Sequence, residues 1–389
     1  MKIVFVSDTY YPHLNGVYYF VCRIAPLLQS RGHQVFVIAP SESNRPSLKK
    51  IDNIDVYGLP SLPTLYYQHI RIPIPYRLKK RVRDLLTSLQ PDVIHLQDHF
   101  ALCETVVEVN RSLRIPIIGT NHFMPENLTA LFRSRGTRKL MEKFLWTGFS
   151  KVFNQVSLVT TPTETGARLI RPKLQVKVTA LSSGIDTGQF NHFGAHDQVR
   201  SRYAIPPKPL LIFVGRIDPE KHIEEIIQAV ALASQKIDFC FVIVGKGLRK
   251  AALESLVKKL NLSETVIFTG FVPDNDLPLL YKTSHCFAIA SIAELLSLAT
   301  LQAMASGLPV IAVNAGALGE IVHDLDNGLL YQSGDIPALA AHIETIFSQA
   351  GLHDKMGHRS IELAQEHDIR KTLASFEEIY ETCEKSSPR

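Results

Sequence analysis

The stretch Ala290–Gly319, ASIAELLSLATLQAMASGLPVIAVNAGALG, constrains this chain more than any other. It leaves an apolar run, Cys286–Ala290, and passes a polar turn at Ser291 and Glu294. A small-residue helix follows over about Ala299–Ser306, stops at Gly307-Leu308-Pro309, and gives way to a β-branched strand, Pro309–Val313. Strand, helix and strand in that order make a βαβ unit, whose helix N-terminus offers unbonded N–H groups and the positive end of its dipole to an anion. Glu294 precedes the helix and can accept hydrogen bonds from hydroxyls. Ser297 has the chemistry of an N-cap, Leu298 follows it, and Gln302 lies inside the helix. A ligand with both phosphates and hydroxyls suits such a place, and a nucleotide sugar fits that description. A buried helix–strand pair without a ligand is the competing reading. Leu295–Gly319 holds 25 residues without a charge, long enough on paper to span a bilayer. Gly307, Pro309 and Asn314 interrupt it, and its apolar period changes there, which argues against a span.

With 389 residues, the chain exceeds the usual size of one core, so two domains are expected. Its 46% hydrophobic and 20% charged residues describe an ordinary soluble globular protein. Cys22, Cys103, Cys240, Cys286 and Cys383 are scattered and form no CxxC pair, which points to a reducing compartment. The opening MKIVFVSD runs straight into a strand pattern and lacks the marks of a signal peptide. A cytoplasmic protein is expected, with a peripheral place at the inner face of the membrane as the variant. The formal charge of +5 hides an asymmetry: residues 1–186 carry +11 and residues 187–389 carry −6. A basic half facing an anionic partner follows: nucleic acid, a membrane surface or a phosphorylated acceptor.

Strand-like runs in the first half are Lys2–Ser7, Gln34–Ala39, Asp92–Leu96, Pro116–Thr120, Leu158–Pro162 and Lys177–Leu181, with amphipathic stretches such as Val21–Ser30 and Tyr76–Leu89 between them. Continuous apolar runs, rather than alternating ones, indicate parallel strands covered on both faces. The polar segment Gly184–Gln198 reads as a linker. The pattern then restarts with Leu210–Val214, Phe239–Val244, Val266–Thr269, Phe287–Ala290 and Val310–Val313, and His367–Cys383 is helical by pattern. Two doubly wound α/β domains facing across a ligand cleft are the simplest solution. The expected bounds are 1–186 for an acceptor-binding domain and 187–366 for a donor-binding domain. A C-terminal helix within 367–389 is expected to pack back on the first.

The chemistry gathers at Val214-Gly215-Arg216 with Lys221, at Gly245-Lys246-Gly247, at Phe268-Thr269-Gly270-Phe271, and in a first loop holding Asn15-Gly16-Val17. Together these make essentially the whole chain resemble a family-four glycosyltransferase of the GT-B fold, α/β with two Rossmann-like doubly wound domains. The resemblance implies a retaining, metal-independent hexosyltransferase that uses a UDP- or GDP-linked sugar as substrate and needs no cofactor. It implies that Arg216 and Lys221 clamp the donor diphosphate, where two cations after a strand end can neutralise a leaving group. A self-paired turn, RIDPEK, is the alternative reading of that segment. Gly16, Gly245, Phe271, Ser297 and Leu298 join the donor site in the same way, Gly16 as a place where backbone can come close to a ligand. The family hallmark is two glutamates separated by seven residues, the first on the transferred sugar and the second on the ribose. Glu294 matches the first. Gln302 departs from the second: an amide still donates to and accepts from hydroxyls, but the charge-assisted bond is lost. A catalytically weak or silent nucleotide-sugar binder of the same fold is therefore the alternative function.

On the acceptor side the resemblance places His122, in Thr120–Asn127, beside the reacting sugar, with a core histidine satisfied by backbone as the alternative. Asp98 and His99, at the end of the preceding strand, are candidates for the acceptor pocket, with a plain loop as the favoured alternative. Thr163 and Glu164 read as an N-cap and acidic first turn. Lys79, Lys80, Arg81 and Arg83, preceded by Tyr66, Tyr67 and Ile70–Pro75, form one basic cluster. Arg133, Arg135, Arg138 and Lys139, near Phe132, Phe144 and Trp146, form another. Basic helices with apolar neighbours suit an anionic membrane surface, in keeping with lipid-acceptor members of the family such as diacylglycerol glucosyltransferases. A solvated charged face is the competing reading. No nucleic-acid recognition motif is present, and no nucleic-acid partner is expected.

Overall fold

A computed structural model describes residues 1–11, 16–64, 71–122, 124, 134–191 and 197–385, with the side chains of 135 and 197 excepted. The chain divides into two compact units. One is Met1–Ser183 together with the chain from Thr372, and the other is Gly184–Lys371.

Apolar strands without alternation need cover on both faces, and the first unit supplies it. Its main sheet contains β1 (Lys2–Val6), β2 (Gln34–Pro40), β3 (Ser47–Ile51) and β4 (Ile54–Leu59). A separate antiparallel pair, β5 (Ser61–Pro63) and β6 (Arg71–Pro73), follows, and the main sheet resumes with β7 (Val93–Leu96), β8 (Ile117–Thr120), β9 (Leu158–Thr161) and β10 (Lys177–Ala180). The order is β10-β9-β8-β7-β1-β2-β4-β3, and each neighbouring pair is parallel except β3 with β4. Helices α1 (Gly16–Ser30), α2 (Leu78–Leu89), α3 (Ala101–Leu113), α4 (Arg135–Phe153) and α5 (Glu164–Ile170) lie between the strands. Val82, Val106 and Phe149 of α2, α3 and α4 share one core cluster with Val4 and Val6 of β1. Phe20 and Ile24 of α1 share the other with Ile3 and Phe5. Successive residues of β1 point to opposite faces, so the two clusters are the two sides of one sheet.

The second unit holds β11 (Leu210–Val214), β12 (Cys240–Val244), β13 (Val266–Gly270), β14 (Cys286–Ile289), β15 (Val310–Val313) and β16 (Gly328–Tyr331), all parallel, in the order β13-β12-β11-β14-β15-β16. Its helices are α6 (Asp197–Arg202), α7 (Ile223–Ala233), α8 (Lys250–Lys259), α9 (Leu277–Lys282), α10 (Leu298–Ala305), α11 (Leu318–Ile321), α12 (Ile336–Ser348) and α13 (Leu352–Gln365). The last helix, α14 (Ile369–Lys385), returns to the first unit, where Leu373, Phe376 and Tyr380 are buried in the cluster with Phe20. In each sheet the order reverses at the first strand, so the loops after β1 and β7, and after β11 and β14, lie side by side at a topological switch point.

Three expectations need correction. The unit boundaries fall at 183/184 and 371/372, not 186/187 and 366/367. Ile185 N donates to His367 O at 2.8 Å and Ile369 N donates to Ile185 O at 2.8 Å, which stitches both junction segments into the second unit. Gly184–Gln198 is not a free linker along its described part, since Ile185 and Phe190 are buried in the second core. Five strands were also absent from the sequence reading: β3, β4, β5, β6 and β16. β3 and β4 join through Asp52 and Asn53, both at positive φ (48° and 67°), the backbone of a two-residue hairpin.

Candidate functional site

The switch point of the second unit is built by close backbone approach. β11 runs into Gly215-Arg216-Ile217-Asp218, and Gly215 N donates to Val244 O at 3.0 Å while Ile217 N donates to Lys246 O at 2.9 Å. Gly245 sits at φ 142°, and a Cβ there would lie 1.8 Å from Gly215 O. At Gly247 a Cβ would lie 2.3 Å from Ile217 O. Only glycine admits this contact between the β11 and β12 loops. Asp218 adds a side-chain tie by accepting from Leu248 N at 3.2 Å.

After β14 the chain turns through Ser291 to Glu294. Ser291 Oγ donates to Glu220 O at 3.3 Å, and Ala317 N donates to Glu294 O at 3.0 Å. Gly316, at φ 57°, lies where a Cβ would meet Glu294 O at 2.9 Å. The β14 loop is thus held between those after β11 and β15. The outcome is a 2.6 Å ion pair, Lys221 Nζ to Glu294 Oε1, with side chains only 16% and 13% exposed. Arg216 is 60% exposed and pairs with Asp218 and, at 2.7 Å, with Glu220. The self-paired turn considered for RIDPEK therefore describes Arg216, whereas Lys221 reaches across to the next loop. Ser297 caps α10, its Oγ accepting from Thr300 N at 3.2 Å and from Thr300 Oγ1 at 2.7 Å. Leu298 opens the helix. Gln302 lies one turn on, and Tyr281 Oη donates to its Oε1 at 3.4 Å and to Ala299 O at 3.1 Å. Phe271 follows β13, 55% exposed, with Lys246 Nζ 5.8 Å from its ring centre.

Sequence reasoning missed Glu225, a buried carboxylate on α7. It accepts from Tyr331 Oη (3.2 Å), Ser333 Oγ (3.2 Å) and Gly334 N (3.1 Å), and is paired with His222 Nδ1 at 3.0 Å. His222 has φ 47°, so Glu225 steadies a left-handed residue directly beside Lys221. A glutamate in an acidic first turn, IEEII, gives no sign of such partners.

In the first unit the loops after β1 and β7 meet through two buried carboxylates. Asp98 accepts from Ser7 Oγ (2.7 Å), Asp8 N (2.9 Å) and Thr9 N (3.2 Å). Asp8 caps α3 by accepting from Leu102 N (2.6 Å) and Cys103 N (3.2 Å). Burial raises both carboxyl pKa values, and at Asp8 the neighbouring Asp98 charge adds to the rise. Asp98 thus has the structural role of the plain-loop reading: a carboxylate taken out of water needs donors, and the β1 loop supplies them. His99 is buried beside it. It is 4% exposed, lies 4.3 Å from the Phe100 ring and 5.3 Å from that of Phe149, and burial lowers its pKa to about 4.

His122 is half-buried after β8. Its Nε2 donates to Gln97 Oε1 at 2.9 Å, its ring lies 5.1 Å from Phe20, and burial lowers its pKa to about 3. The ring is therefore neutral, and with the proton on Nε2 it keeps Nδ1 as an acceptor. Gly16 opens α1 with nothing within 4 Å of a Cβ position, so no contact among the described residues requires glycine there. Thr163 caps α5 as expected, accepting from Gly166 N at 3.1 Å. Of the basic clusters, Lys79 pairs with Glu108 at 2.9 Å, while Lys80, Arg83 and Lys139 are exposed. Asn15, Tyr66, Tyr67, Ile70, Phe132 and Arg133 lie outside the described residues, as does the Arg135 side chain. Among the described residues no helix is long and apolar enough to cross a membrane.

Comparison with known proteins covers both units. Residues 196–363 match the family described as Glycosyl transferases group 1, and residues 14–189 match Glycosyltransferase Family 4. The alpha-monoglucosyldiacylglycerol synthase of Streptococcus pneumoniae is 26% identical over 91% of this chain and 80% of its own length. A GDP-mannose-dependent alpha-mannosyltransferase of Mycolicibacterium smegmatis is 25% identical over 88% of each. Anabaena HepE, solved in complex with UDP, superposes with a TM-score of 0.77 at 19% identity, over 98% of this chain and all of its own. That likeness shows the fold.

Proposed function

This chain is a family-four glycosyltransferase of the GT-B fold that resembles lipid-acceptor members, and on that premise we propose a retaining, metal-independent hexosyltransferase acting on a membrane-lipid hydroxyl. The Lys221–Glu294 pair at the switch point of the second unit is the observation that carries the reading. It joins a cation suited to a diphosphate to a carboxylate suited to sugar hydroxyls, on two loops whose backbones are fixed by Gly245 and Gly316. In the proposed step the bond from the sugar's anomeric carbon to the diphosphate oxygen breaks, and its electron pair leaves with the phosphate. The acceptor oxygen bonds to the same face of that carbon, and its proton passes to the departing phosphate oxygen. Lys221 and Arg216 stabilise the charge that builds up on the diphosphate, Arg216 exchanging Asp218 and Glu220 for phosphate oxygens. Glu294 orients the sugar hydroxyls, and in the first unit neutral His122 keeps Nδ1 as a hydroxyl acceptor.

The names of the two relatives support a GDP-linked donor and a diacylglycerol-type acceptor, the UDP bound in the HepE structure supports UDP as the other donor nucleotide, and the basic first half suits an anionic membrane surface. The deciding experiment screens UDP-, GDP- and ADP-sugars for donor hydrolysis in the intact chain, Glu294→Ala and Gln302→Glu. One donor turned over by the intact chain and not by Glu294→Ala supports the proposal. Turnover confined to Gln302→Glu would favour the second reading, a silent nucleotide-sugar binder. That reading draws on the amide at 302, whose oxygen Tyr281 already engages.

A further inference from the structure

Between Arg216 and α7 the chain of the second unit is fastened at three points. Asp218 Oδ1 accepts from Leu248 N at 3.2 Å, Glu220 O accepts from Ser291 Oγ at 3.3 Å, and His222 Nδ1 donates to Glu225 Oε1 at 3.0 Å. Lys221 lies between the second and the third. It ends a 3₁₀ turn, Pro219–Lys221, and His222 both closes that turn and precedes α7. At φ 47° and ψ 37° His222 is left-handed. Such a conformation costs a residue with a Cβ a factor of roughly 5 to 150 in population unless its surroundings impose it. Glu225 can impose it because it is itself held. Its Oε1 also accepts from Ser333 Oγ at 3.2 Å, and its Oε2 accepts from Tyr331 Oη at 3.2 Å and Gly334 N at 3.1 Å. All four acceptor positions of the carboxylate are used, in a side chain 11% exposed. The adjacent Glu224 is 33% exposed and reaches Arg249 at 3.4 Å, an ordinary surface pair.

We propose that Glu225 is a positioning residue for Lys221: it ties the left-handed turn at His222 to the loop after β16, and that turn sets the direction from which the Lys221 ammonium meets the leaving diphosphate. The proposal rests on the role given to Lys221 above. The backbone angles of residue 222 join the 3₁₀ turn to α7, so a His222 that leaves the left-handed region swings Lys221 away from Glu294 and from the switch point. A Glu225 that served the fold alone would lower stability when removed, whatever residue stood at 222. A positioning Glu225 matters to Lys221 only while residue 222 carries a Cβ, since glycine adopts φ 47° without help.

The test compares the intact chain, Glu225→Ala, His222→Gly and the double variant by donor hydrolysis, hydrogen exchange and thermal unfolding. Glu225→Ala should lower kcat about tenfold with KM little changed, because Lys221 acts on charge that builds up as the bond breaks. The amides of Lys221 and His222 donate to Asp218 O at 3.1 Å and Pro219 O at 3.3 Å, and both should exchange about tenfold faster in that variant. With glycine at 222 the same change should move kcat and exchange by less than about twofold. Tm should still fall there, because Tyr331, Ser333 and Gly334 lose their acceptor in either background. Where Glu225→Ala yields no folded protein, Glu225→Gln takes its place, with the same directions expected. Equal kcat losses in both backgrounds, unchanged exchange at Lys221 and His222 in Glu225→Ala, or a raised KM at unchanged kcat would overturn the proposal. If the intact chain turns over no donor, the transferase reading fails and exchange alone decides whether Glu225 holds the turn. Turnover with unmoved exchange sinks the positioning role alone.

Discussion

Glu294→Gln keeps the side chain's shape and removes its charge, so it isolates what the carboxylate contributes. In the folded chain Glu294 Oε1 accepts from Lys221 Nζ at 2.6 Å, with both groups more than four-fifths enclosed. A hydrogen bond to a charged partner contributes about 1.5–3 kcal/mol and a neutral one about 0.5–1.5. The amide should therefore cost roughly 1–2 kcal/mol of sugar binding in the transition state, or about a 5- to 30-fold loss in kcat/KM. Lys221→Gln removes the cation proposed to meet the leaving diphosphate, and loss of one such donor should cost about a hundred- to thousandfold in kcat. Because the two groups are bonded to each other, their effects should not add. The double variant is expected to resemble Lys221→Gln alone, with a coupling of about 1–2 kcal/mol. The assay is a double-mutant cycle on kcat/KM for the donor found by the hydrolysis screen. Strict additivity of the two single losses would refute the idea that Lys221 and Glu294 act as one unit, as would wild-type turnover in Glu294→Gln.

Gly245→Ala would place a Cβ 1.8 Å from Gly215 O at φ 142°, and should cost about 3 kcal/mol or more in thermal unfolding of the second unit. Gly16→Ala, with open space around it, should change stability by less than about 1 kcal/mol; a lost donor KM with retained stability would place backbone close to ligand there. Asp8→Asn isolates a pH-dependent contribution. The folded-state pKa of Asp8 lies above the ordinary 3.8 because of burial and Asp98, so its favourable contribution is full below that value and lost as pH rises toward neutrality. The variant should gain on wild type between pH 4 and 7 in denaturant titrations, and a stability difference constant across that range would refute the assignment.

The parallel strands were legible because burial on both faces writes them as unbroken apolar runs, as in Leu210–Val214 and Cys240–Val244. The β3–β4 hairpin left a signal too, Asp52-Asn53 between two isoleucines, but the exposed lysines of β3 dilute its alternation. β5 and β6, three residues each, are too short for any period to show. At the site, Ser297 and Glu294 were legible from their place before a helix. Asp98 stayed open between two readings, because an acid after a strand looks the same whether it bonds a ligand or its own neighbouring loop. The partners of Glu225 come from Tyr331, Ser333 and Gly334, about a hundred residues away, and no local pattern anticipates them. Gly245 and Gly316 could be recognised as glycines, but the backbone each one touches could not.

The return of α14 to the first unit sets an order on biosynthesis. The second unit is one continuous stretch, Gly184–Lys371, and every strand it needs has been made before α14 is translated. The first unit is made earlier and yet stays unfinished, for Phe376 and Tyr380 must still fill the side of its sheet lined by Phe20. The hydroxyl of Tyr380 also satisfies buried His95 Nδ1 at 2.8 Å. A nascent chain halted before α14 would carry a finished second unit and a first unit with an open apolar trough and an unsatisfied histidine. The first core of this protein therefore closes only once α14 has emerged from the ribosome, not when the strands of the first unit do.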